Sequence, residues 1–522
     1  MKNLLFLALG SLSITAFSAE ITINNCSVTG VTVLSDKEIQ QIIEPFLQND
    51  LDNLGCIAAA SILENELREA GAFTAKVYPE TDQNQNQSIL YVIEGRLSEN
   101  GVSIGQPSQR VKESVIQKQL SKSLSPRSTL LTKNFERAIL LTNDLPGIFD
   151  SEAILFPGDN VGEAKFQINP KDSKLVTGNF YFDNFGSTYT GQNRFGTSID
   201  INSPFHYGDR ISIGAAITNQ NSIFGYLDAS MPVGSNGMRS GLELDAMSYK
   251  TDEANNLRGD SNTLSAYLTY PIIRSREGDL YIELHAARNN MNDKTDLSKI
   301  TDRIVNTATL KLTGSNLDSF LGGGTNDMQI ELVQGDVDLD EFEPYKEEDA
   351  QTARTAGQFT RLYWQFSRLQ HIKGPWQAYA EIAGQVASKR LDSSQSLAFG
   401  GAYDFPGYES GKVLGDEGQR LHIDLRYNMQ FEWLGGQQQF SAFYDIGSIK
   451  THAEQIVGNI IIPGIEDNRY TMQSTGLGFS QIWKSVQLQG ALGWRINNEI
   501  PYSQDNSKDD NMHGWVQLVY SF

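Results

Sequence analysis

From about Leu175 to the terminal Phe522, polar and apolar residues alternate one by one in stretches of about ten. Thr263-Leu264-Ser265-Ala266-Tyr267-Leu268-Thr269-Tyr270, Thr307-Ala308-Thr309-Leu310-Lys311-Leu312-Thr313 and Trp515-Val516-Gln517-Leu518-Val519-Tyr520-Ser521-Phe522 are clear cases. Successive side chains of a strand point to opposite faces, so each stretch has one apolar and one polar face. A barrel with a lipid-facing outside and a wet lumen needs this pattern, because hydrocarbon offers no hydrogen bonds and closure leaves no unpaired edge. A soluble β-sandwich or propeller alternates as well. About sixteen segments fit between Lys174 and the end, an even number, as closed single-chain barrels have. The expected fold is mainly β: a sixteen-stranded transmembrane antiparallel β-barrel over 173–522, preceded by two small α+β modules.

The residues before the barrel follow a different rhythm. Ile21-Thr22-Ile23 opens a strand, and Ser35-Asp36-Lys37-Glu38 forms a capping box ahead of Ile39, Ile42, Ile43, Phe46 and Leu47 at helical spacing. A second helix runs from about Ile57 through Ile62, Leu63 and Leu67 and is stopped by Gly71. Strands over Phe73–Tyr78 and Ile89–Glu94 follow, separated by a Gln/Asn-rich loop at Asp82–Gln87. A second module repeats the order: one helix marked by Val111, Val115, Ile116 and Leu120, and another over Leu130–Leu141. Leu145-Pro146-Gly147 ends it, and strands Ser151–Leu155 and Glu163–Asn169 flank a Pro157-Gly158-Asp159 turn.

Composition narrows the class. There is no run of eighteen apolar residues, and mean hydropathy is −0.36, which excludes helical spans but not a barrel, where only alternate residues meet lipid. Lys2, the apolar stretch Leu4–Ile14 and the small-residue site Ala16-Phe17-Ser18 read as a secretory signal over 1–19. The net charge of −21 argues against a nucleic-acid partner. All six tryptophans (Trp364, Trp376, Trp433, Trp483, Trp494, Trp515) fall in the barrel half, which fits an interfacial girdle. In an oxidising periplasm, Cys26 and Cys56 read as a disulfide closing a loop of about thirty residues, with two buried free thiols as the alternative. The His and Cys spacing suits no zinc site, and P-loop, HExxH and GxSxG motifs are missing. Neither an enzyme nor a cofactor is expected.

Several short motifs carry a family resemblance. Tyr91-Val92-Ile93-Glu94-Gly95 is similar to the strand that closes a first POTRA domain. Phe135-Glu136-Arg137-Ala138, Leu145-Pro146-Gly147 and Phe156-Pro157-Gly158 resemble the second-domain signature. Phe182-Asp183-Asn184-Phe185-Gly186 and Tyr207-Gly208-Asp209 look like motifs at the first and third barrel strands. Phe399-Gly400-Gly401, Phe405-Pro406-Gly407-Tyr408-Glu409 and Leu414-Gly415-Asp416 resemble the long sixth extracellular loop, about 395–420, that folds into the lumen. Phe443-Tyr444-Asp445-Ile446-Gly447 is similar to the thirteenth strand, whose carboxylate faces that loop. Alternation agrees, since Ala442, Tyr444 and Ile446 share one face and Asp445 takes the other.

The whole mature chain thus resembles the two-partner secretion (type Vb) transporters of the haemolysin and filamentous-haemagglutinin secretion-activation type. The resemblance implies POTRA domains over 20–98 and 99–172, both periplasmic, and a barrel in the outer membrane. It also implies a monomer in outer-membrane lipid that exports a large, unfolded, haemolysin- or adhesin-like exoprotein. Rival readings are a barrel-assembly insertase, a passive diffusion porin and a soluble periplasmic scaffold. Two departures stand out. The family's loop arginine, which pairs with the strand-thirteen carboxylate, is replaced by Pro406, leaving Lys412 and Arg420 as candidate partners of Asp445. A strand already begins at Ile21, leaving no room for the plug helix of some relatives.

Overall fold

In a computed structural model of the chain, alternation resolves into one closed barrel of sixteen antiparallel strands. The structure describes residues 21–47, 52–82, 87–251, 257–432, 435–453, 468–497 and 510–522. The expected signal segment, the middle of the Gln/Asn-rich loop and Trp433 lie outside the described residues. By contact density the chain forms two compact units. One comprises the chain up to Pro107 with Gln117–Ile139 and Ser151–Pro170; the other comprises Ser108–Ile116, Leu140–Asp150 and Lys171–Phe522.

In the first module, β1 (Ile21–Ile23), β2 (Cys26–Thr29), β3 (Lys76–Asp82) and β4 (Gln87–Ile93) form a sheet ordered β1-β2-β4-β3, accompanied by α1 (Asp36–Ile43) and α2 (Asp52–Glu69). The capping box is formed: the Ser35 N–H donates to Glu38 Oε2 (2.7 Å), and the Glu38 N–H donates to Ser35 Oγ (3.4 Å). Cys26 and Cys56 are disulfide-bonded with Cα atoms 5.6 Å apart, tying β2, a strand the sequence pattern did not separate from β1, to α2. The Glu94 of the Tyr91–Gly95 motif accepts hydrogen bonds from the Thr32 and Val33 N–H groups (2.5 and 2.8 Å), satisfying the turn that leads into α1.

The next sheet, ordered β5-β7-β6, holds β5 (Arg96–Ile104), β6 (Ile148–Pro157) and β7 (Glu163–Asp172), and the module adds helices α3 (Glu113–Ser123) and α4 (Thr132–Asn143). Because β5 starts at Arg96, the chain passes from one sheet to the next just ahead of the 98/99 boundary read from sequence. Within this unit the Phe135 ring stacks on Phe166 (4.6 Å) and reaches Phe73 (6.1 Å), so one aromatic joins residues of both modules.

The barrel runs from its first strand, Val176–Asp183, to its sixteenth, Met512–Ser521. Leu268, Leu284, Leu310, Leu332 and Leu362 lie side by side on five neighbouring strands and are exposed on the outside. Their neighbours Tyr267, His285, Thr309, Val333 and Arg361 take the inward face. In hydrocarbon, each such leucine is worth roughly 1.5–3 kcal/mol over water. Closure comes from the pairs Gln517–Asp183 through Ser521–Asn179. The Asp-Asn motif secures that seam. The buried Asp183 carboxylate accepts from Arg194 through two bonds (2.7 and 3.0 Å) and from Gln517 Nε2 (3.0 Å). Asn184 donates to the Gly514 carbonyl (2.7 Å) and accepts from the Val516 N–H (2.8 Å). In the same unit, two motifs distant in sequence meet: the Leu145 side chain packs on Gly208, and Asp144 accepts two bonds from Arg274 (2.9 and 2.8 Å).

Candidate functional site: the sixth outer loop

Between the eleventh strand (Trp376–Ala387) and the twelfth (Glu417–Asn428), the chain makes the sixth turn on the side opposite the end at which the first barrel strand begins. This loop covers 388–416, shorter at its end than the 395–420 expected, because Glu417–Arg420 already pair with the thirteenth strand, Gln437–Lys450. It folds as a small hairpin, with Leu397–Phe399 paired to Val413–Gly415. Gly400 and Gly401 turn the chain at φ of 111° and 107°, a region where side-chain-bearing residues are strained. Phe399, Phe405, Tyr408 and Val413 are buried against Ile449 and Met472 of the thirteenth and fourteenth strands (the latter Arg469–Trp483). Phe405 reaches the inward-facing Gly447, so the loop occupies the lumen.

The tip continues round the wall to the fifteenth and sixteenth strands. Trp515, inward on the sixteenth strand, donates its indole N–H to the Pro406 carbonyl at 2.8 Å. That tryptophan serves the loop rather than the lipid girdle. A Cβ on Gly493 of the fifteenth strand (Val486–Arg495) would lie 2.2 Å from the Pro406 carbonyl carbon, and one on Gly407 would lie 2.6 Å from the Arg495 nitrogen. Two facing glycines therefore let loop and wall backbones touch. Tyr408 is fully buried; its hydroxyl donates to the Asn497 carbonyl (2.9 Å) and accepts from the Gln473 N–H (3.3 Å). Ser410 donates to the Phe185 carbonyl (2.8 Å), linking the loop to the Asp183–Asn184 seam motif.

At the loop's exit, Gly415 lies against Ile449, and the Asp416 carboxylate accepts from the Leu391 and Ala453 N–H groups (3.1 and 2.8 Å). Burial pushes the Asp416 carboxyl up from the usual carboxylate range, while those two N–H groups pull it back.

Asp445 is buried on the inward face, and its two oxygens accept from wall residues: His422 Nδ1 at 2.6 Å and Ser474 Oγ at 2.8 Å. Of the two cations considered from sequence, Arg420 turns instead to Glu381 (2.6 Å) and the loop's Asp404 (3.0 Å), while Lys412 lies 3.9 Å from Glu409. Sequence reasoning missed His422, Ser474 and Asp404. The first two neighbour Asp445 only through strand register, a long-range property. Asp404 sits one residue before the motif and carried no signal of its own.

Residues 162–465 match the family described as haemolysin secretion/activation protein ShlB/FhaC/HecB, and residues 21–95 match the ShlB-type POTRA domain. The heme/hemopexin transporter protein HuxB of Haemophilus influenzae is 24% identical over 505 residues, covering 93% of this chain and 86% of the relative. Among solved structures, CdiB from Escherichia coli superposes with a TM-score of 0.76 at 16% identity, covering 99% of this chain and 93% of the other. BamA from Haemophilus ducreyi lacking POTRA domains 1–3 gives a TM-score of 0.55 at 12% identity, covering 97% and 100%. The two structural likenesses confirm the fold, and the sequence match goes further: this chain belongs to the haemolysin secretion/activation family of ShlB, FhaC and HecB, outer-membrane two-partner secretion transporters whose POTRA domains stand in the periplasm.

Proposed function

We propose that this transporter holds an unfolded exoprotein along open sheet edges of its POTRA modules, passes it through the lumen when the sixth loop yields, and releases it to fold outside. The observation that carries this reading is β6. It is one of the two outer strands of its sheet, with proline only at its end and its only charges at Asp150 and Glu152, and besides these it exposes Phe149 (76%), Ile154 (38%), Leu155 (46%) and Phe156 (43%). Folded proteins protect such edges with charge, bulges or cover, because an open apolar edge captures other chains. In a transporter, capture is what the edge is for. Main-chain hydrogen bonds hold any extended segment, and neighbouring apolar side chains add affinity without demanding one sequence.

The lumen supports passage of an extended chain only after the hairpin shifts, a gating step. Folding beyond the membrane supplies direction, since the periplasm holds no ATP. The barrel closes within one chain and carries its own lipid-facing leucines, so a monomer in outer-membrane lipid suffices. The exoprotein class is haemolysin- or adhesin-like; HuxB is named a heme/hemopexin transporter protein, which adds a heme- or hemopexin-binding exoprotein to the class.

The cargo is identified as the large secreted product lost from culture supernatant when this chain is deleted. Phe149→Lys with Leu155→Lys should then cut its secretion at least tenfold, leaving a heat-modifiable barrel in the outer membrane. Undiminished secretion by that variant contradicts capture at β6.

A further inference from the structure

A cation of the barrel wall and a carboxylate of the sixth loop meet at Arg420 and Asp404. Arg420 projects inward from the twelfth strand, its side chain only 13% exposed. Its Nη2 lies 2.6 Å from Glu381 Oε1 on the eleventh strand, and its Nε lies 3.0 Å from Asp404 Oδ1 in the loop. Glu381 is itself pinned, accepting on Oε2 from Tyr379 (2.6 Å) and Gln365 (2.8 Å). The wall thus fixes the guanidinium fork through one carboxylate and presents its remaining donors to another. Asp404 is held in place by a tight turn, its N–H bonded to the Gly401 carbonyl (3.3 Å) while Gly401 pairs with Phe405.

Asp445, the carboxylate expected to receive a loop cation, has both oxygens engaged by His422 and Ser474. The residue at the expected cation position is Pro406, whose carbonyl serves Trp515 two strands beyond the fourteenth. We propose that Asp404 and Arg420 are the positioning pair of the loop, with the acid on the loop and the base on the wall. This rests on the reading that the loop moves for transport, yet its test needs no exoprotein.

The test uses the full-length chain in planar bilayers, reading the frequency of large openings, with heat-modifiable gel mobility as the folding check. Asp404→Asn and Arg420→Gln should each raise that frequency several-fold. Asp404→Glu should behave as the parent. The exchange Asp404→Arg with Arg420→Asp should return the channel toward the parent, since Arg at 404 would face both Glu381 and the new aspartate. Asp445→Asn should stay close to the parent. An Asp404→Asn trace indistinguishable from the parent overturns the proposal, as does an Asp445→Asn channel that opens more than either member of the pair. If Arg420→Gln does not fold, Asp404→Asn alone decides, because it leaves the wall intact. Secretion by these variants bears on the transport reading, and the electrical result stands or falls without it.

Discussion

At position 406 stands a proline where the family resemblance implied an arginine, and the consequence is local and specific. The proline has no side chain that can meet a carboxylate, but its carbonyl meets Trp515, and the adjoining Gly407 rests on the backbone of Trp494 and Arg495. Shape fixes the tip where charge was expected. Gly493→Ala should therefore expel it: the added carbon would lie 2.2 Å from the Pro406 carbonyl carbon, and neither backbone can step aside. In intact cells, proteolysis within 400–412 should be rapid for that variant and slow for the parent, and equal resistance contradicts this packing. Part of the contact was legible. Alternation places Trp515 on the same face as Gln517 and Ser521, hence inward, although tryptophan composition pointed to lipid. The pairing of His422 with Asp445 was not legible, because 23 residues separate them and only register brings them together.

Helix starts and barrel strands could be read from local chemistry because each signal sits within a few residues of what it controls. Ser35 and Glu38 are three apart and cap α1 as their spacing implies. β5 escaped notice since Ser98, Glu99, Asn100 and Gly101 interrupt its alternation, and the ladder with β7 slips between Leu97 and Val102. In the first module, the disulfide crosses the sheet–helix boundary, with Cys26 and Cys56 fully buried beside Leu63 and Leu90. Replacing both cysteines by alanine should cost the module roughly 3 kcal/mol, from the freedom returned to a loop of about thirty residues in the unfolded chain. Hydrogen exchange of α1 and α2 in the full-length protein should speed accordingly, by a factor of about a hundred. Unchanged exchange would mean that the hydrophobic cluster alone holds these elements.

Over the whole molecule, period-two alternation carried the barrel, with an apolar belt outside and polar and charged side chains within, while helical spacing and the Ser35–Glu38 capping box carried the modules that precede it in sequence. What alternation leaves undetermined is how the lumen is filled, because the loop's partners come from strands eleven to sixteen and from the seam, far apart in sequence. In the proposed function, an unfolded exoprotein runs from the modules' edges through this lumen. Photo-crosslinking decides it, with the exoprotein stalled in transit by a folded domain at its C-terminus. Cross-linker at inward Glu243, Tyr267 and Thr309 should trap the cargo, as should Leu155 on β6, while outward Leu244, Leu264 and Leu310 should not. Cargo that reaches the surface with no adduct at the inward positions, or with adducts only at the outward ones, contradicts passage through the barrel.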